Sequence, residues 1–399
     1  MSLGRLPVES ARPESRARFQ LMAGGEAAFA RILERIDGAE RSIVVRCFEW
    51  RDDDTGEMVG RALLRAADRG VEVKILKDRV GMAYEHLEGT KQSFFHKRIG
   101  LIPRLQTWSL MTVYGRWGSL RQRPSPLADA LLNHQLVTVS HHQKRFDHAK
   151  LYVFDDDTVI LGGMGIGDDF RRHNVDFMVE ISGGGAASRL ADRYEGRAPF
   201  DPERTFDYLL HSFKGSAQPK KGQRVALARQ RLALIASAQK SLTIEMAYFG
   251  DRACTAALVD AVKRGVQVTV LTAARANISG DLNLWICAQL LRRTGSPDNL
   301  RIVLHPRMVH GKAIVGDGTW VDIGSTNFTS PSHGGYEEVD LFCRDAAFAR
   351  RVEEAIERDA RDGKPARLPI RYRRPYAVVE RMLGSFHGRK KKSKVKGRK

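Results

Sequence analysis

The chain has little cysteine: four residues in 399, at Cys47, Cys254, Cys287 and Cys343. None forms a Cys-x-x-Cys pair, which argues against a disulfide scaffold and a structural zinc finger. Four reduced, buried thiols are the expectation. Long hydrophobic runs are missing too. No stretch approaches the ~20 apolar residues that cross a bilayer. The opening MSLGRLPVESARPESRARFQ has no apolar segment of the signal-peptide kind. No G-x(4)-G-K-[ST] loop is found, which argues against a reaction driven by nucleotide hydrolysis. GGMGIG at 162–167 follows a strand pattern but lacks Gly-x-Gly-x-x-Gly spacing. His141, His142 and His148 lack acidic or cysteine partners at zinc-like spacing, so neither a metal nor a cofactor is expected.

Negative charge is in short supply. Sixty-six Lys and Arg face 47 Asp and Glu, a net +19. Eight of those cations sit in the last twelve residues, GRKKKSKVKGRK, and the rest of the chain still carries +11. Such a chain suits polyanions, either nucleic acid or an anionic membrane surface. A hydrophobic fraction of 42% and a charged fraction of 28% are ordinary for a folded protein. The length suits two or three domains.

What is present is a duplication. RSIVVRCFEW and GRALLRAADRGVEVKILKD in the first half match KSLTIEMAYF and TAALVDAVKRGVQVTVLTA in the second. Each reads as strand, amphipathic helix, Arg-Gly turn and strand. Alternating strands and helices indicate α/β units with a largely parallel sheet.

The repeat is sharpest further on. His148, Lys150, Asp155, Gly162 and Asp176 correspond to His310, Lys312, Asp317, Gly324 and Glu338. From each histidine the offsets are +2, +7, +14 and +28. HAKLYVF and HGKAIVG both read as strands, so each His and its Lys project from one face. Pairing the halves would gather two imidazoles for nucleophilic and acid–base work. Two ammonium groups could neutralise phosphate oxygens, with Ser325 and Asn327 as further donors. Asp176 and Glu338 could each orient an imidazole. This set suits substitution at a phosphodiester, with lysines in place of a metal.

These residues resemble the phospholipase D superfamily, whose signature is H-x-K-x(4)-D-x(6)-G-[GS]-x-N in two copies. HGKAIVGDGTWVDIGSTN fits at every position. HAKLYVFDDDTVILGGMG fits except that Gly165 stands where Asn is expected, which removes one amide donor. The resemblance covers roughly residues 20–350 and is closest to bacterial cardiolipin synthases, through GGMGIGDDF at 162–170 and AYF at 247–249. It implies a covalent phosphohistidine, with His148 as nucleophile and His310 as general acid/base. Lys150, Lys312 and Asn327 would hold the phosphate, while Asp155 and Asp317 would brace the turns. The implied reaction is phosphatidyl transfer between phospholipids, joining two phosphatidylglycerols into cardiolipin with release of glycerol. The alternative is a metal-independent phosphodiesterase of the same superfamily, a phospholipase D or a nuclease. Because one chain supplies both motifs, it is expected to act as a monomer.

The expected fold is α/β: two fused halves related by a pseudo-twofold, each a mixed, mostly parallel sheet flanked by helices, with the active site at the seam. The expected boundaries are an N-terminal half at 1–182, a linker at 183–222 and a C-terminal half at 223–350. An extension at 351–386 and a disordered basic tail at 387–399 follow. The Arg-Gly turn precedes the motif histidine by 78 residues in the first half and 45 in the second, so an insert lies within 83–140. It mixes Phe94, Phe95, Trp108, Tyr114 and Trp117 with Lys91, Lys97, Arg98, Arg104, Arg116 and Arg121. The insert reads either as an ordinary helical insertion with its apolar face in the core or as an interfacial anchor, with aromatics at the headgroup level beside cations. With the tail, that gives two attachment signals to an anionic membrane. The same mixture fits nucleic acid less well. A cytoplasmic protein, peripheral on the cytoplasmic face of the membrane, is the expectation.

Overall fold

The structure, a computed structural model, describes residues 16–78, 81–85, 92–95, 124–142, 146–212 and 224–387, with isolated residues between 101 and 112. The first half runs β1 (Arg18–Ala23), α1 (Gly25–Asp37), β2 (Ser42–Cys47), α2 (Asp54–Asp68), β3 (Glu72–Asp78) and α3 (Met82–Glu85). It continues with α4 (Pro126–Asn133), β4 (Val137–His142), β5 (Leu151–Phe154), β6 (Thr158–Gly162), β7 (Phe177–Ser182) and α5 (Ala186–Glu195). The second half runs β8 (Phe206–His211), α6 (Ala226–Ser237), β9 (Ser241–Met246), α7 (Arg252–Lys263), β10 (Gln267–Ala273), α8 (Gly280–Thr294) and β11 (Leu300–His305). Then come β12 (Lys312–Gly316), β13 (Trp320–Gly324), α9 (Ser330–Gly334), β14 (Glu338–Cys343), α10 (Ala346–Arg361), β15 (Lys364–Pro365) and α11 (Arg374–His387).

The two sheets are ordered β1-β7-β6-β5-β2-β3-β4 and β15-β11-β10-β9-β12-β13-β14-β8. Apart from β15, each strand has a counterpart at the matching place. Both sheets are mixed, as expected. The expectation of mostly parallel pairing is corrected: only β2-β3-β4 and β9-β10-β11 run parallel. Those strands are joined by crossovers, whereas the motif strands return through tight turns and must pair antiparallel. Positive φ at Asp155 and Asp156, and at Asp317 and Gly318, makes both turns.

Local chemistry starts and stops the repeated helices. Asp53 caps α2 by accepting from Gly56 N–H, and Asp251 caps α7 by accepting from Ala253 N–H. Gly70 and Gly265, at φ 100° and 90°, turn the chain into the next strand.

The expected boundaries shift. β8 lies inside the segment read as a linker, yet it pairs with β14 just as β1 pairs with β7. The second repeat therefore begins at Phe206, not at 223. The first repeat likewise runs on through α5, whose counterpart is α10, so a boundary at 350 would cut a helix. Residues 137–140, read as insert, belong to the edge strand β4. Beyond α10, the extension packs α11 on α8: Glu380 accepts Leu282 N–H at 2.7 Å, and Arg373 pairs with Asp281 at 2.9 Å. The basic tail beyond His387 lies outside the described residues.

Three apolar clusters hold the fold. One fills the outer side of each sheet. The third is shared, with Phe19, Phe177 and Val179 of the first half packed against Tyr208, Val321, Ile323 and Phe348 of the second. This common core joins the halves along their seam. All four cysteines are buried and free.

Candidate active site

His148 and Lys150 stand at the entry to β5, and His310 and Lys312 at the entry to β12. Backbone bonds across the seam bring these entries together. Glu337 N–H donates to Phe146 O at 2.8 Å, and His148 N–H to Glu337 O at 2.9 Å. On the other side Val175 N–H donates to Met308 O at 2.8 Å, and His310 N–H to Val175 O at 2.7 Å. Each is a short parallel bridge, Asp147 with Glu337 and Val175 with Val309.

The histidine–carboxylate pairs are crosswise. His148 Nδ1 meets Glu338 Oε2 of the second half at 3.0 Å, and His310 Nδ1 meets Asp176 Oδ2 of the first half at 2.7 Å. A carboxylate on Nδ1 favours the proton there and leaves Nε2 as the working nitrogen. Neither dyad exists within one half, so the site forms only when the halves dock. Lys150 Nζ donates to His148 O at 2.6 Å. Lys312 Nζ donates to His310 O and lies 3.0 Å and 3.2 Å from the two ring nitrogens.

Burial tunes these groups. It is the largest cause lowering the Lys150 ammonium to about 8 and the Lys312 ammonium to about 7. Burial, with Lys312 beside it, takes His310 down to about 3, and burial also lowers His148. For Glu338 burial opposes ionisation, but His148, Lys150 and Ser325 outweigh it and hold the carboxyl below its usual range. These surroundings favour neutral imidazoles, beside lysines that lose their protons more readily than usual.

The remaining expected residues divide. Asn327 is buried and its Oδ1 has no hydrogen-bond partner, an orphan acceptor that a water or a substrate hydroxyl would satisfy, while its Nδ2 amide is the group able to donate to a phosphate oxygen. Ser325 is a correction. It is fully buried, and its hydroxyl donates to Glu338 Oε2 at 2.6 Å and accepts from Val339 N–H at 3.0 Å, so it positions a carboxylate and does not contact a phosphate. Asp155 and Asp317 brace turns away from the reacting groups. Asp155 accepts backbone N–H bonds from Glu40, Arg41 and Ser42, and Asp317 from Gln239, Lys240 and Ser241.

Gly165 has a steric reason. A Cβ there would lie 2.8 Å from Phe170, whose ring packs edge-to-face with His310 at a centroid separation of 5.3 Å. Phe170 thus holds the space an asparagine would need. Gly165→Asn is expected to destabilise the fold by about 1–3 kcal/mol through overpacking. It should also lower turnover by moving Phe170 off His310. Thermal melts and initial rates on the variant check this, and a gain in rate would contradict it.

Sequence reasoning missed the support beneath His148. Arg46 is buried and pairs with Asp147 and with Glu337, the latter at 2.9 Å across the seam. Its counterpart by sheet position is Glu245, fully buried with neither carboxyl oxygen hydrogen-bonded. Burial pushes that carboxyl well above its usual range, opposed by Lys312 and the Gly311 backbone beside it. Aromatic walls were missed as well. Phe48 and Tyr336 flank His148 at 5.0 Å and 5.9 Å, and Phe170 and Tyr248 flank His310. Of these, Tyr248 within AYF and Phe170 at the end of GGMGIGDDF carried a signal.

Among the described residues, one mixed cluster has ligand-like spacing: Asp251, Cys254 and His333, within 4.8 Å. Its members already serve one another and Arg224, which grips Asp251 at 2.8 Å and 3.1 Å. The side chains of His141 and His142 lie outside the described residues.

The family described as "Cardiolipin synthase, PLD-like domain" matches residues 32–197 and 232–360. The chain belongs to this family. Family membership makes it a phospholipid-modifying enzyme of the phospholipase D superfamily. Cardiolipin synthase A of Pseudomonas entomophila (strain L48) is 27% identical over 376 residues, covering 90% of this chain and 70% of that protein. Cardiolipin synthase B of Salmonella typhi is 23% identical over 362 residues, covering 85% and 79%. In fold, this family member resembles a phosphatidylserine synthase of Haemophilus influenzae Rd KW20, at a TM-score of 0.66 and 14% identity over 92% of this chain and 93% of that one.

Proposed function

We propose that this enzyme transfers a phosphatidyl group through a covalent phosphohistidine, joining two phosphatidylglycerols into cardiolipin and glycerol. The crosswise dyads, each beside a lysine, are the observation that carries this reading. In the first step His148 Nε2 attacks phosphorus, forming a P–N bond as the P–O bond to glycerol breaks. His310 gives the leaving oxygen its proton. In the second step His310 takes a proton from the hydroxyl of the second phosphatidylglycerol. That oxygen attacks phosphorus, and the P–N bond breaks. Lys150, Lys312 and Asn327 hold the phosphate oxygens, and an arriving anion favours the charged lysines and the protonated form of His310. Both His-Lys pairs come from one chain, so a monomer suffices.

The reading places the enzyme on the cytoplasmic face of a membrane. Among the described residues, no helix is long and apolar enough to cross one. Of the insert aromatics, Phe94 and Phe95 are corrections: they are buried, and Phe94 stacks on Trp50 at 5.0 Å. Leu101, Leu105 and Trp108 instead expose 75%, 58% and 55% of their surface, at spacing that gives one helix face. Arg104 is exposed between them. Tyr114, Trp117, Lys91, Lys97, Arg98, Arg116 and Arg121 lie outside the described residues. This apolar face and the basic tail would together hold the enzyme on anionic lipid.

The test is incubation with phosphatidylglycerol vesicles in EDTA, lipids read by mass spectrometry, beside a His148→Ala control. Cardiolipin from the wild type alone is expected. Phosphatidic acid in its place would make the enzyme a hydrolase. No product despite vesicle binding would overturn the phosphatidylglycerol reading.

The lysines set a pH dependence. Their charged forms are lost as pH rises through about 7 and about 8, so kcat/KM should fall on that side. The acid limb, where His148 takes a proton, should lie below the ordinary imidazole range. Lys312→Arg keeps its charge in this pH range and should move the alkaline limb upward, even as geometry lowers the rate. A profile unchanged by that substitution would rule Lys312 out as the titrating group.

A further inference from the structure

A cleft of about 1110 Å³ opens between β1 and α1 of the first half and α10 of the second. Neither motif histidine nor motif lysine lines it. Its first-half wall carries Arg18, Arg31, Arg35, Arg171 and Arg172. Its second-half wall carries Arg307, Arg351 and Arg358, so eight arginines face five carboxylates.

Most of those carboxylates are already engaged. Glu180 takes Arg31 and Arg35 at 2.7 Å and 2.6 Å, Glu26 takes Arg171 at 2.9 Å, and Asp176 holds His310. On the arginine side, Arg18 and Arg358 make no hydrogen bond or salt bridge among the described residues. Among the described residues, the Arg351 guanidinium donates to Phe19 O, and the Arg307 guanidinium to the backbone carbonyls of His173 and Arg172. Among the described residues, none of these four guanidinium groups forms a salt bridge, although Asp359 of the same cleft interacts electrostatically with Arg358 and Arg307. The first turn of α1 also lines it, and its cap Gly24 offers no side chain to the free N–H groups. That end of a helix adds a positive partial charge.

We propose that this cleft is an anion site, separate from the His-Lys cradle, for a phosphate-bearing ligand. Guanidinium forks match phosphate oxygens in pairs, which fits a cleft rich in arginine and poor in lysine. The volume exceeds a bare phosphate and accommodates a phosphoglycerol headgroup. The site also touches the catalytic seam, because Gly24 N–H donates to Asp176 O at 3.0 Å while the Asp176 carboxylate holds His310. The assignment stands whether or not the transfer reaction proposed above is the right one.

The test is equilibrium dialysis on the full chain in a His148→Ala background, which prevents turnover. One arm uses labelled inorganic phosphate and the other dihexanoyl phosphatidylglycerol below its micelle concentration. Arg18→Gln/Arg358→Gln is expected to weaken one class of site about tenfold or more, while Lys150→Ala/Lys312→Ala leaves that class intact. Tighter binding of the lipid would mark the headgroup as the ligand, and tighter binding of phosphate would mark the free ion. If the arginine variant retains every class of site, or the lysine variant abolishes all binding, the proposal fails. Arg18 and Arg358 are exposed, so the fold should survive, and Arg351→Gln provides an independent third variant.

Discussion

His148→Ala is expected to lower transfer by roughly 10⁴-fold or more, because the proposed nucleophile is lost outright. His310→Ala should cost about 10²–10⁴-fold, the usual range for a positioned acid or base. The two losses differ in kind. A substrate with a good leaving group, such as a p-nitrophenyl phosphodiester, needs no general acid for the first step. It should restore the first half-reaction in His310→Ala and not in His148→Ala. With a ³²P-labelled substrate, His310→Ala should then hold a stable phosphoryl adduct, because the group that activates the second alcohol is missing. An adduct in His148→Ala and none in His310→Ala would exchange the roles. Label in neither variant would count against a covalent intermediate. The crosswise wiring adds a check. Asp176→Asn should act like a mild His310 variant and Glu338→Gln like a mild His148 variant, although each lies in the opposite half.

Arg46→Ala should destabilise the fold by about 3–5 kcal/mol, the range for removing one partner of a buried ion pair. Arg46 is 5% exposed and neutralises Asp147 and Glu337, which sit next in sequence to His148 and Glu338. Without it two carboxylates remain buried with their main counter-charge gone. Because one bond crosses the seam, docking of the halves and the His148–Glu338 dyad should loosen together. Urea unfolding measures the first effect and turnover the second. Neutralising all three, as Arg46→Met with Asp147→Asn and Glu337→Gln, should recover much of the stability, since the cost lies in unpaired charge. A loss below about 1 kcal/mol for Arg46→Ala would show the carboxylates finding other partners.

Some of this enzyme is written locally. A strand pair, an amphipathic helix or a tight turn depends on neighbours a few residues apart, so it can be read along the chain. The Arg-Gly turns, the motif strands and the bracing of Asp155 and Asp317 are of that kind. The matched offsets of His148, Lys150 and Asp176 with His310, Lys312 and Glu338 were enough to point to a duplicated His-Lys-carboxylate cluster.

What only the tertiary structure decided depends on residues far apart in sequence. The partner of each histidine is 134 or 190 residues away, and either pairing of dyads fits the same offsets. β8 gave no sign of being a first strand, because a single edge strand has no periodic neighbour to identify it until β14 lies beside it. Phe94 and Phe95 are chemically suited to a membrane surface, and only their packing on Trp50 makes them core. Gly165 looked like a missing donor until Phe170 was found in its place. Arg46 and Glu245 hold equivalent positions in the two sheets with opposite charge types, and only their surroundings show one as a cross-seam ion pair and the other as a buried carboxyl without a salt bridge among the described residues, pushed up by desolvation. Residue types and spacing determined which chemistry was available. Burial and long-range contact decided which groups perform it, because desolvation and pairing exist only once the two halves close.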